Sequence, residues 1–190
     1  PTEGNFVAGG KAIKDKIDRL SWRSRVGYVP QDIFLVDGTF LENIAFGESP
    51  SAIDEARVIE CAKMARLHDV VMSNSEDGYY AQVGERGIRL SGGQRQRIGI
   101  ARALYRGADF LVMDEATSAL DNETEKEVMS AIGNLPEHMT VVMIAHRLST
   151  LRGCDEIVVL EHGEIIEHGA WNALMDKGGR FFKLVNSAVA

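Results

Sequence analysis

The sequence has little cysteine and no long apolar run, and each scarcity removes a class of protein. Cys61 and Cys154 stand alone without CxxC or CxxH spacing, so neither a disulfide framework nor a zinc site is indicated, and a reducing compartment fits best. The longest apolar runs, such as Phe110 to Met113 and Val141 to Ala145, fall far short of the ~18 residues of a membrane span. The opening Pro-Thr-Glu-Gly-Asn lacks an initiator Met, a basic start and an apolar stretch, so it is not a signal peptide and reads as the start of an excised piece. Basic residues number 21 against 28 acidic ones. The resulting net charge of −7 argues against a chain whose main task is to hold nucleic acid by neutralising phosphates. Internal repeats and low-complexity linkers are absent as well. What is present, 190 residues with 45% hydrophobic content, suits one domain with a real core.

Three short apolar runs each lead into a polar residue: Arg25 to Val29 before Gln31, Phe110 to Met113 before Asp114 and Glu115, and Val141 to Ala145 before His146. Such runs predict buried parallel strands of an α/β fold. Residues at the carboxyl ends of those strands face one ligand crevice. Between them the periodicity predicts helices over Gln94 to Arg106 and over Asn122 to Ile132, the second capped by Asp121. The stretch from Ser51 to Met72 also has helical period, opening on Ser51 and Asp54 in capping-box spacing, and is expected to build a separate helical lobe. Near the end, Glu156 to Glu161, His162-Gly163 and Glu164 to Glu167 predict a hairpin, followed by short helices around Trp171 to Met175 and Phe181 to Val185.

Leu90-Ser91-Gly92-Gly93-Gln94 sits directly before a predicted helix. Two glycines let a backbone approach a ligand, and a helix start offers unpaired N–H groups and the positive end of the dipole, which together make an anion seat. The dipole contributes only about 0.3–1 kcal/mol, so the seat needs other groups. Ser91 as a simple N-cap with loop glycines is the alternative. At the next strand end, Asp114 can hold Mg²⁺ while Glu115 polarises an attacking water; two solvated or capping carboxylates are the alternative.

Taken together, Leu90-Ser91-Gly92-Gly93-Gln94-Arg95-Gln96-Arg97, then Phe110 to Glu115, then Ala116-Thr117-Ser118-Ala119-Leu120-Asp121, resemble the signature, Walker B and D-loop of ATP-binding cassette (ABC) ATPases in order and spacing. Tyr28-Val29-Pro30-Gln31 looks like the Q-loop and Ile144-Ala145-His146-Arg147 like the H-loop. Val83-Gly84-Glu85-Arg86-Gly87 resembles the X-loop of exporters, with Ala81 standing where exporters usually carry Thr; a solvated Glu85–Arg86 pair is the alternative. The resemblance implies a P-loop NTPase core with a parallel sheet and a helical signature subdomain at about 45–107, all within one partial domain over 1–190. It also implies roles: Glu115, His146 and Gln31 in catalysis, Asp114 and Gln31 at Mg²⁺, and Ser91, Gly92, Gly93, Gln94 and Asp121 at ATP. The expected partners are exporter transmembrane domains, met through the Q-loop and X-loop segments, and a second cassette, at the cytoplasmic face of a membrane.

A complete cassette also needs a Gly-rich loop ending in Gly-Lys-Ser/Thr, and none occurs here. Gly9-Gly10-Lys11-Ala12 comes nearest, but Ala12 lacks the metal-binding hydroxyl, and the segment fits the family's hairpin after the P-loop helix. The chain is therefore expected to be truncated at its N-terminus, to expose apolar sheet surface and to bind ATP poorly alone. Two alternatives are a non-transport ATPase of the same superfamily and a docking or regulatory fragment that pairs with another cassette.

Overall fold

The computed structural model describes residues 4–84, 89–117, 120–145 and 147–187. They divide into two compact units, Pro1–Ile144 and Ala145–Ala190. At the centre of the first unit lies a parallel sheet of β3 (Val26–Val29), β6 (Phe110–Asp114) and β7 (Thr140–Ile144), in the order β3-β6-β7. Val29, Met113 and Met143 lie side by side in the register, so the chain leaves all three strands at one edge. The register therefore brings the ends of all three strands together, as the polar residues after them suggested, although His146 lies outside the described residues. Pro30 ends the first strand because it has no N–H for a ladder.

Side chains alternate across this sheet. Val29, Leu111 and Met113 are buried beneath α5 (Gly92–Tyr105), a helix enclosed on nearly every side. The fit is close: a Cβ on Gly27 would stand 2.5 Å from the Ala103 Cβ. On the other face Tyr28, Val142 and Ile144 are 58%, 42% and 51% exposed. The second face is thus left partly open, where the apolar runs suggested burial on both; the exposed apolar surface expected from the family resemblance is present.

Ahead of the sheet come β1 (Val7–Ala8) and β2 (Lys11–Ala12), an antiparallel pair turned by Gly9 and Gly10. Both glycines have positive φ, +55° and +76°, which the tight turn requires. Lys11 is exposed there and bonds Asp18 at 2.6 Å, as a solvated hairpin lysine does. Helix α1 (Lys16–Ser24) follows, and its Trp22 packs against Phe110 and Phe6 with ring centres 5.2 and 5.8 Å apart.

Strand β4 (Gly38–Thr39) pairs with β5 (Gln82–Val83), and α2 (Phe40–Ile44), α3 (Glu55–Met64) and α4 (His68–Asn74) lie between them in sequence. Here one expectation is corrected. Ser51 lies in a 3₁₀ turn, Pro50–Ala52, and Asp54 is the cap, accepting a bond from the Arg57 amide at 3.0 Å. The helical stretch read over 51–72 consists of two helices, α3 and α4, parted at Arg66, whose φ of +50° no helix tolerates and whose carbonyl accepts a bond from the buried Arg97 guanidinium at 2.9 Å. Helix α6 (Asn122–Ile132) starts after Asp121 as expected.

The second unit contains β8 (Ile157–Glu161) and β9 (Glu164–Gly169), joined through His162-Gly163, then α7 (Trp171–Lys177) and α8 (Arg180–Ser187). Ile157, Val159, Leu174 and Phe181 form its core, with Trp171 edge-on to Phe181 at 5.1 Å. Glu167 accepts bonds from the Arg180 and Phe181 amides and so caps α8. No helix among the described residues is long and apolar enough to cross a membrane.

Candidate functional site

Helix α5 begins with a capping box. The Ser91 Oγ accepts a bond from the Gln94 amide at 3.2 Å, and the Gln94 Oε1 accepts one from the Ser91 amide at 2.9 Å. Ser91 is therefore an N-cap, and the alternative read from sequence holds. It does not cancel the anion seat. The Gly92 and Gly93 amides carry no partner among the described residues, and they stand at the positive end of a 14-residue helix.

The glycines have a second, steric reason to be glycine. A Cβ on Gly93 would lie 2.1 Å from the Thr124 Cγ2, and one on Gly92 would lie 2.7 Å from the Leu120 Cδ2. Helix α6 thus presses against the start of α5. Thr124 is held there by Asp121, whose carboxylate accepts bonds from the Thr124 amide (2.9 Å), the Thr124 hydroxyl (2.7 Å) and the Glu123 amide (3.0 Å). The Thr124 bonds hold the Asp121 carboxyl below its ordinary range.

Glu115 follows β6 with a φ of +50°, a left-handed conformation that costs a residue with a Cβ about 1–3 kcal/mol. Its amide donates to the Ile144 carbonyl at 3.1 Å, which carries the ladder one residue past the strand and fixes where the side chain departs. Asp114, the preceding residue, lies on the open face of the sheet and accepts a bond from the Tyr28 hydroxyl at 3.0 Å. That bond raises the Tyr28 pKa above its ordinary value.

A cleft of about 210 Å³ gathers Gln31, Ser91, Gly92, Glu115 and Asp121. Five of the residues singled out from sequence therefore meet. Gly93 and Gln94 belong to the same helix start but face Thr124 and Ser91, and Asp114 is not part of the lining. His146, Glu85 to Gly87, and Ser118 and Ala119 lie outside the described residues.

The cleft adds Thr124, which sequence reading passed over, and Asp32, Arg95 and Gln96, to which it gave no role of their own. Gln96 is 3% exposed, and its Nε2 donates to the Pro30 carbonyl at 3.1 Å and to the Gln31 carbonyl. Its Oε1 is buried without a partner among the described residues, an arrangement that costs about 1–3 kcal/mol. The signal was a polar residue inside a helix apolar at Ile98, Ile100, Ala101 and Leu104, a pattern that hides how much of the helix is enclosed.

With this geometry established, comparison with known proteins gives a family. The ABC transporter family profile matches residues 1–118. The chain belongs to the ABC transporter family. An ATP-dependent lipid A-core flippase of Ralstonia nicotianae is 45% identical over 182 residues, covering 95% of this chain and 30% of that protein. ABC transporter B family member 22 of Arabidopsis thaliana is 45% identical over 188 residues, covering 98% and 15%. A solved structure of a bacterial Atm1-family ABC exporter with ATP bound superposes with a TM-score of 0.82 at 37% identity, over 99% of this chain and 32% of that one. The chain thus spans a third or less of the relatives it matches. The α/β ABC ATPase fold read from sequence is the fold observed, and ATP binding is a property of this ABC family.

Proposed function

We propose that this chain is part of the ATP-hydrolysing motor domain of an ABC exporter, in which binding and hydrolysis of Mg-ATP drive substrate export. The observation that carries the reading is the cleft in which Glu115, the head of α5, the Gln31 loop and Asp121 meet. It sets a carboxylate that can take a proton beside backbone amides that can seat the phosphate of a second cassette's nucleotide.

In this reading Glu115 is the general base, receiving the proton of the water that attacks the γ-phosphate. His146 contacts that phosphate. Ser91, Gly92, Gly93 and Gln94 meet the nucleotide held by a second cassette, and Asp121 also serves at ATP. The donor chemistry suits Mg²⁺, since Asp114 supplies carboxylate oxygen. Magnesium asks for one or two carboxylates, retaining waters and substrate phosphates as its other ligands. Asp114 and Gln31 would hold it, and the ion would offset phosphate charge as the bond to the leaving group breaks. Residues about 45–107 are the helical signature subdomain. The segments after Gln31 and around 83–87 face transmembrane domains at the cytoplasmic side of the membrane.

The isolated 190-residue chain, which contains no Gly-Lys-Ser/Thr loop, is expected neither to bind ATP tightly nor to hydrolyse it. The test is Mg-ATP binding and turnover by the full-length protein, wild type beside Glu115→Gln. Retained ATP with no phosphate release supports the assignment, and normal turnover by the variant refutes it.

A further inference from the structure

Residues 30–37, between β3 and β4, form neither helix nor strand. Among the described residues, no backbone-to-backbone hydrogen bond outside regular elements involves residues 30–36. A segment without a ladder must satisfy its peptide groups elsewhere. This one does so on side chains of α5 and on Asn43. Gln96 donates to the Pro30 and Gln31 carbonyls, and the Arg102 Nη1 donates to the Phe34 carbonyl at 2.7 Å. The Asn43 Oδ1 accepts from the Val36 amide at 3.1 Å, while its Nδ2 donates to the Val36 carbonyl at 3.0 Å. Asn43 in turn accepts a bond from the Arg102 Nη2 at 2.9 Å. Gly99 leaves a notch for Ile33, whose Cδ1 would stand 2.7 Å from a Cβ there.

Of these links, Gln96 is the one that grips the end carrying Gln31. Its two Nε2 bonds fix the orientation of the amide, and the consequence is a buried Oε1 with no partner among the described residues. An apolar side chain of similar length would fill the space without that orphan acceptor. Packing alone does not explain a glutamine here; the two carbonyl bonds do.

We infer that Gln96 is a positioning residue that fastens the Gln31 backbone to α5, so that the Gln31 loop and the helix headed by Ser91 move as one body. A ligand seated at the head of α5 then also sets the reach of Gln31. The fastening stands without the nucleotide reading; only this consequence rests on it.

The test is NMR relaxation of the ¹⁵N-labelled 190-residue chain, wild type beside Gln96→Met, which keeps the length of the side chain and removes both donors. Backbone order parameters at Gln31, Asp32, Ile33 and Phe34 are expected to be about 0.8 in the wild type and below about 0.6 in the variant. Those of Leu111 to Met113 and Ile98 to Leu104 should stay unchanged. In the wild type, the Gln96 side-chain amide protons should exchange with solvent at least about tenfold more slowly than those of exposed Gln82. Unchanged loop order in the variant, or order lost evenly over β6 and α5, overturns the inference. So does Gln96 exchange at the Gln82 rate, a reading on the wild type that needs no variant to fold. ATP turnover enters neither measurement, so failure here is separable from failure of the ATPase reading.

Discussion

Replacing Gly93 with alanine places a methyl group where the structure has no room. The new Cβ would lie 2.1 Å from the Thr124 Cγ2, against the ~3.5–4.0 Å of a normal carbon contact, so one side must retreat by well over an ångström. Thr124 cannot turn away easily, because its amide and hydroxyl are both bound to Asp121. Separating α5 from α6 is the remaining response. Overpacking of this kind costs about 1–3 kcal/mol, while alanine in place of glycine returns roughly 0.5–1 kcal/mol of backbone entropy. The net expectation is a loss of about 1–2 kcal/mol, read from the urea midpoint, with Tm lower by roughly 2–8 °C. The control is Thr124→Ser, which removes the clashing methyl and keeps the hydroxyl on Asp121. The next Thr124 atoms lie 3.5 and 3.6 Å away, in ordinary contact. Gly93→Ala in the Thr124→Ser background should therefore cost nothing. A Gly93→Ala chain as stable as the wild type, or a penalty that persists undiminished in the Thr124→Ser background, would refute the steric argument.

Arg102 donates to the Asn43 carbonyl, the Asn43 Oδ1 and the Phe34 carbonyl, and burial lowers its pKa to about 10. Arg102→Met should cost about 3 kcal/mol in urea unfolding, and Arg102→Lys should recover little, because one ammonium cannot reproduce the fork. Glu115→Gly should be more stable than Glu115→Ala by about 1 kcal/mol, since only glycine accepts a φ of +50° without strain; equal midpoints would remove the strain argument. Acid unfolding should track Asp109, Asp121 and Glu167, each held below its ordinary pKa by Arg25, by Thr124 and by the Phe181 amide respectively. With folded values depressed, their stabilisation is complete above the ordinary values of 3.8 and 4.5 and is lost as pH falls through the lowered ones, which circular dichroism against pH will show. Asp114→Asn should bring the Tyr28 phenol back toward its ordinary pKa of 10.0, read by ultraviolet titration against Tyr28→Phe.

Much of this was legible because it depends on local pattern. Asp121 followed by a periodic run gave α6 its cap, and the three apolar runs gave the sheet and the shared edge where Gln31, Asp114 and Glu115 emerge. His162-Gly163 between alternating segments gave the late hairpin. What escaped depends on partners far away in sequence. Nothing local to Gly93 announces Thr124, and nothing near Gln96 announces the Pro30 and Gln31 carbonyls, 66 and 65 residues back. The left-handed turn at Glu115 escaped for another reason: a glutamate in that conformation contradicts its own preference, and tertiary structure overrules it.

The sheet also dictates an order of events in folding. Arg25 and Asp109, which pair beside β3 and β6, are 84 residues apart. Closing a loop of that length costs roughly 4 kcal/mol of chain entropy before any strand bond offsets it. The helices between the two strands depend on nearer contacts and are expected to assemble first, drawing the strands together as they pack. On a ribosome adding about 5–20 residues per second, Val26 to Val29 would wait roughly ten seconds for their neighbour to emerge. During that interval both edges of the strand lie open, and its protection falls to whatever else binds a bare strand.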